Sequence, residues 1–177
     1  MNPSKHTQTN EPVHFEIERK FLIEYPDIDW LENHPACSCA EITQTYLCSD
    51  ADEEIRVRER IEGERRVYFH TVKRKVTEIK RIEDEREIQK DEYERFLREA
   101  DPQKRQIRKT RYCLRENGLC FEIDVYPFWQ DKAIAEIELC DEDTPIVFHK
   151  RIKVIREVTN DKAFKNASLA KTDAKIL

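Results

Sequence analysis

The chain has 177 residues, enough for one domain with a real core, and 39% of them are charged. Its 32 basic and 37 acidic residues nearly balance, which argues against a dedicated nucleic-acid binder with a net basic surface. Glycine occurs only at Gly63 and Gly118, so no glycine-rich phosphate loop can form and any phosphate must be held by side chains.

The polar N-terminal stretch, residues 1–12, lacks the apolar core of a signal peptide and is expected to be a loose tail preceding a single domain over residues 13–177. No run approaches the ~18 apolar residues needed to span a bilayer, so no membrane contact is expected and the location is expected to be cytoplasmic. Cys37, Cys39, Cys48, Cys113, Cys120 and Cys140 are then expected to stay reduced. A zinc site built from His34, Cys37, Cys39 and Cys48 is disfavoured by the absence of a CxxC pair.

In chain order, residues 15–21 (FEIERKF) place Glu16, Glu18 and Lys20 at every second position, with apolar residues mostly between them. Alternation of this kind predicts a strand with one charged and one greasy face. Residues 25–36 read as a turn and a short helix, and residues 43–48 as the next strand. Residues 54–61 alternate cleanly, with Arg56, Arg58 and Arg60 facing one way and Ile55, Val57 and Ile61 the other. Gly63 marks a turn into residues 65–75, where Thr71 and Lys73 share a face with Val67 and Phe69. Residues 82–88 carry Glu83, Glu85 and Glu87 in alternation. Asp91 is then read as the N-cap of a short amphipathic helix. Residues 107–115 and 119–126 flank Asn117-Gly118, a strong hairpin signal, with Lys109 and Arg111 on one strand and Glu122 and Asp124 on the other. Glu136 and Glu138 alternate with Ala135, Ile137 and Leu139 in the next strand; a short strand near 152–158 and a final helix from about 159 follow.

About eight antiparallel strands with few helices suit a small closed barrel, which removes the sheet edges. Two arrangements fit: charges in water over an ordinary core, or charges lining the barrel with apolar faces outward under helices. Like charges paired on one strand face, acidic at Glu85/Glu87, Glu122/Asp124 and Glu136/Glu138 and basic at Arg56/Arg58 and Lys109/Arg111, favour the second. Carboxylate pairs ask for a divalent cation and paired cations ask for a polyanion, so a wet lumen holding a metal-bound polyphosphate satisfies both.

Glu16-x-Glu18-x-Lys20 resembles the ExExK signature of the CYTH superfamily, the triphosphate tunnel metalloenzymes. RVRER (56–60), Thr71-Val72-Lys73, Glu85-Arg86-Glu87, Lys109-Thr110-Arg111-Tyr112, FEIDV (121–125), Ala135-Glu136-Ile137-Glu138 and the tail from Glu157 follow in the family's order. The resemblance is to the short bacterial type associated with inorganic triphosphate hydrolysis. It implies a mainly β fold, an eight-stranded antiparallel closed tunnel with a charged interior and a few covering helices. It also implies Mg²⁺ or Mn²⁺ as cofactor, a small-molecule triphosphate as substrate and a homodimer. The stretch after Lys73 is basic and lacks the glycines expected there, which leaves the choice between bare triphosphate and an organic triphosphate open.

Phosphate oxygens are assigned to Lys20, Arg56, Arg58, Lys73, Lys109 and Arg111, forked contacts coming from arginine and point charges from lysine. Metal ligands are drawn from Glu16, Glu18, Glu122, Asp124, Glu136 and Glu138, with Glu16, Glu18, Glu136 and Glu138 nearest by family analogy. Lys20, Lys109 and Arg111 are the catalytic candidates. Lys109 is the candidate base because the neighbouring Arg111 depresses a lysine pKa, against the pull of nearby carboxylates. Glu54, Arg60 and Glu83 read as rim charges. Phe128 and Trp129 read as hairpin packing, with stacking on a base as the alternative. The competing functions are an adenylate cyclase, a hydrolase of nucleoside or thiamine triphosphate, and a polyphosphate-binding module without turnover.

Overall fold

The computed structural model describes residues 17–50, 53–75, 81–141 and 143–171. The expected tail over residues 1–12 lies outside them, as does Glu16. The alternating segments become β1 (Ile17–Glu24), β2 (Cys37–Tyr46), β3 (Glu53–Glu62), β4 (Arg65–Lys75), β5 (Arg81–Ile88), β6 (Ile107–Glu116), β7 (Leu119–Val125), β8 (Lys132–Leu139) and β9 (Val154–Glu157). All pair antiparallel in one sheet ordered β5-β4-β3-β2-β6-β7-β8-β1-β9.

Two expectations change here. The sheet has nine strands where eight were expected, because β9 pairs with the outer edge of β1 through Phe21, Leu22 and Ile23. Nor is the sheet closed by hydrogen bonds among the described residues: β5 and β9 stand at opposite ends of the strand order. It is nevertheless strongly curled. Lys73 on β4 bears electrostatically on Glu18 of β1 although five strands lie between them in the order.

Local sequence accounts for the turns. Asn117 (φ 52°) and Gly118 (φ 78°) supply the two left-handed residues of a tight β6–β7 hairpin. Gly63 (φ 57°) does the same at the first turn position between β3 and β4. β2 begins at Cys37, earlier than its β-prone core suggests, because Cys37–Gln44 runs in register with Leu114–Ile107. α1 (Ile28–Glu32) is capped by the Asp27 carboxylate, which accepts from the Trp30 N–H at 3.0 Å. α2 (Lys90–Phe96) has Gln89 at its N-cap, so Asp91 is the second residue of the helix, where a negative charge still suits the dipole. The final helix is broken into a short turn over residues 162–164 and α3 (Asn166–Leu169).

Residues directly opposite in register share a face of the sheet. The outer face buries Phe21, Ile23, Leu114, Phe121, Ile123, Ala135 and Ile137 beneath α1 and the segment carrying Ile146, Phe148 and Ile152. Val57, Tyr68 and Ile88 pack with Tyr93 of α2. A third cluster lies at one end of the inner face, where Leu22, Tyr46, Ile107 and Ile134 meet Tyr126, Trp129, Phe164 and Leu169. It works as an apolar plug. Its C-terminal part is held by the Arg105 amide donating to the Ala170 carbonyl at 2.7 Å and by the Tyr126 hydroxyl donating to Asn166 at 2.7 Å.

Candidate active site

The concave face carries the charges. Register places Lys20, Glu136 and Glu122 on one rung and Glu18 and Glu138 on the next. Arg111 sits opposite Asp124, Arg58 between Gln44 and Phe69, and Lys73 between Glu54 and Glu83.

Arg111 is the hub of the first cluster. Its Nε donates to Asp124 Oδ1 at 2.6 Å, and its Nη2 reaches both Asp124 Oδ2 and Glu136 Oε2 at 2.7 Å. Its Nη1 donates to Glu122. Lys109 Nζ also binds Asp124, while Lys20 Nζ pairs with Glu136 Oε1 at 2.6 Å and Glu18 at 3.5 Å. Asp124 is fully buried, and Lys109 and Arg111 close around its carboxylate. Burial opposes ionisation of Glu136, yet Lys109, Lys20 and Arg111 outweigh it and hold that carboxyl well below the usual range. Burial lowers the Lys109 ammonium first and Arg111 lowers it further; Asp124 and Glu136 oppose them without prevailing. That is the direction expected of a lysine able to give up its proton.

The second cluster lies on β3, β4 and β5. Arg58 Nη2 donates to Glu85 at 2.8 and 3.0 Å, and the Thr71 hydroxyl donates to the same carboxylate at 2.7 Å. Glu83 takes Arg56 at 3.3 Å and Lys73 at 2.5 Å. Burial lowers the Arg58 guanidinium; Glu85 opposes, and Arg56, Arg111 and Arg60 add to the lowering. The Nε atoms of Arg56 and Arg58 are buried with no hydrogen-bond acceptor. Buried donors without acceptors amid surplus positive charge mark a place prepared for an anion.

The expected phosphate-binding residues therefore share one curled face. Gln44 and Tyr46 also face inward, both buried, with the Gln44 amide donating to the Tyr46 hydroxyl at 2.7 Å. Glu83, expected at the rim, instead holds two of the six cations, and Glu85 holds a third. Thr71, which the sequence places on the Lys73 face, holds the Glu85 carboxylate through its hydroxyl. Trp129 is only 3% exposed and packs edge-on to Tyr126 and Phe128, so it belongs to the plug and presents no free ring for a base.

Among the described residues, no three His, Cys, Asp or Glu side chains converge as a ready-made metal cage. The donor chemistry nevertheless suits a hard divalent ion. Glu18 and Glu138 lie directly opposite on β1 and β8, an arrangement that repels unless a cation offsets it. Burial first, and then the Glu136 carboxylate, push the Glu18 carboxyl up, against the pull of Lys20 and Lys73.

A curled antiparallel sheet whose concave face gathers six cations among carboxylates offers donors suited to a polyanion. The comparisons agree. No family model matches the chain. An inorganic triphosphatase of Nitrosomonas europaea is 32% identical over 158 residues, covering 88% of this chain and 96% of the relative. The crystal structure of the inorganic triphosphatase NE1496 superposes with a TM-score of 0.57 at 29% identity, covering 89% of this chain and 95% of that one. The PH1819 protein from Pyrococcus horikoshii gives 0.52 at 26% identity, covering 73% and 80%. The chain belongs to the inorganic triphosphatase family.

Proposed function

We propose that the concave face hydrolyses inorganic triphosphate to pyrophosphate and phosphate. The observation that carries this reading is the convergence of Lys20, Arg56, Arg58, Lys73, Lys109 and Arg111 on one face, with two buried guanidinium Nε atoms lacking acceptors. A phosphoanhydride chain offers oxygens on every phosphorus, and would supply acceptors to these cations in place of the carboxylates that now pair with them. The curled sheet acts as a tunnel of the CYTH type when wrapped around that chain.

In this reading Arg56, Arg58 and Lys73 hold one side of the chain, while Lys20 and Arg111 hold the other. Glu18, Glu136 and Glu138, with Glu16, would hold Mg²⁺ or Mn²⁺, which when bound supplies neutralisation of phosphate charge and acidifies water nearby. Glu122 and Asp124 are the remaining members of the expected ligand set. Their role in the reading is to orient Arg111 and Lys109, since those two cations already engage them. Water attacks the terminal phosphorus, the bridging P–O bond breaks, and pyrophosphate leaves. Lys109 Nζ takes the proton of the attacking water. Most of the rate comes from positioning and charge stabilisation.

An adenylate cyclase would need a platform for the base, and the aromatic pair that could have supplied it is spent in the plug. The test is phosphate release from triphosphate, ATP and pyrophosphate with Mg²⁺ or Mn²⁺, run beside an assay for cyclic AMP. Triphosphate should be turned over fastest and cyclic AMP should not form. Cyclic AMP as the main product would overturn the reading.

A further inference from the structure

A cavity of about 330 Å³ opens on the concave side at the β3–β4 hairpin, beyond the cations assigned to triphosphate. Arg58 is common to the cavity and to the site described above, and Arg60 and Arg65 continue the row outward. Arg56, Arg58 and Arg60 alternate along β3, so neighbouring members of the row start about 7 Å apart. In the other direction the face is stopped by the plug of Leu22, Tyr46, Ile107, Phe164 and Leu169. A chain bound against Arg111 and Arg58 and exceeding the space between them therefore has room toward Arg60 and Arg65.

Charge in this cavity favours an anion. Glu85 pairs with Arg58 at 2.8 Å and Glu62 with Arg60 at 3.1 Å, which leaves Arg65 with no ion-pair partner among the described residues. The buried Nε of Arg58 has no acceptor either. The floor is Val67 and Phe69, but the Phe69 ring already carries the Arg58 guanidinium 5.2 Å from its centroid. An aromatic base would find that ring taken, whereas another phosphate would find open donors.

We propose that this cavity is a subsite for phosphoryl groups beyond the third in a linear inorganic polyphosphate, with Arg60 and Arg65 as its binding residues. The proposal rests on the triphosphate reading of the adjoining face. Its test is calorimetric titration of the wild-type protein and of R60A/R65A with inorganic triphosphate, linear tetraphosphate and ATP. Thermal melting alongside should show both proteins folded, and the single variant R65A, altered only at an exposed hairpin side chain, serves if the double variant is not. In the double variant, tetraphosphate affinity should fall about five- to tenfold while triphosphate affinity stays within about twofold. Equal losses for both inorganic chains, or no loss for tetraphosphate, would overturn the subsite while leaving the triphosphate reading intact. A loss confined to ATP would give the cavity to an organic group and also overturn it. Failure of the wild type to bind triphosphate would bring down both readings together.

Discussion

Arg111 grips Asp124 with two prongs, at 2.6 and 2.7 Å, and the same guanidinium reaches Glu136 on the next strand but one. This pairing ties β6, β7 and β8 together from the inside of the sheet. Asp124 is fully buried, so removing its carboxylate leaves Arg111 and Lys109 buried with too few partners. D124A should lower unfolding free energy by about 3–5 kcal/mol, read from urea or guanidinium denaturation. A change under about 1 kcal/mol would mean that water replaces the carboxylate at little cost.

In the proposed site Arg58 binds phosphate, and Glu85 holds its guanidinium at 2.8 Å. R58A should reduce kcat/KM for triphosphate by about 10²-fold or more, since it removes a donor aimed at developing charge. Stability should change far less than activity. Retention of full metal-dependent turnover would remove Arg58 from the site.

Thr71 reaches the active site only through Glu85, to which its hydroxyl donates at 2.7 Å. T71V keeps the shape of the side chain but frees the carboxylate to move, and with it Arg58. The expected result is a loss of about three- to tenfold in kcat/KM, with T71S restoring most of it. A purely structural role would give equal behaviour in the serine and valine variants.

Glu18 and Glu138 lie directly opposite on β1 and β8 and belong to the proposed metal-binding set. Chelation of divalent metal should abolish triphosphate hydrolysis, and E138Q should raise the Mg²⁺ or Mn²⁺ concentration required for half-maximal rate by about tenfold. Unchanged metal titrations would place the ion elsewhere.

His70, on the outer face, stacks on Phe96 with centroids 4.5 Å apart. Burial lowers its pKa from 6.5, and the Arg86 charge lowers it further. The folded state thus prefers the neutral ring, and unfolding takes up a proton. The associated stability is fully present above the unfolded pKa and is lost as pH falls through it toward the folded value. Between about pH 7.5 and 5.5, H70Q should lose stability less steeply than wild type, measured as urea midpoints. Parallel slopes would show that His70 does not couple protonation to folding.

Much of the architecture was legible in the order of residues. The period-two alternation of Glu18 and Lys20, of Arg56 and Arg58, and of Glu136 and Glu138 dictates strands with one charged face, because successive side chains must point apart. Asn117-Gly118 dictated its hairpin for an equally local reason, the left-handed backbone that other residues resist. Pairing of like charges along one strand also announced that opposite charges or ligands must meet them. None of this depends on which strand lies beside which.

What partners each charge was decided only in three dimensions. Glu83 and Glu85 became the holders of Arg56, Arg58 and Lys73 because β5 lies against β4 in that register, and a shift of one residue would have turned them to the other face. Leu22, Ile107 and Ile134 share the charged face yet form a plug, because the C-terminal segment carries Phe164 and Leu169 over them. The short strand expected near 152–158 became β9 on the outer edge of β1, a pairing that alternation alone could not assign. Periodicity is a property of neighbours along the chain, whereas register, curl and edge pairing depend on contacts between residues far apart in it.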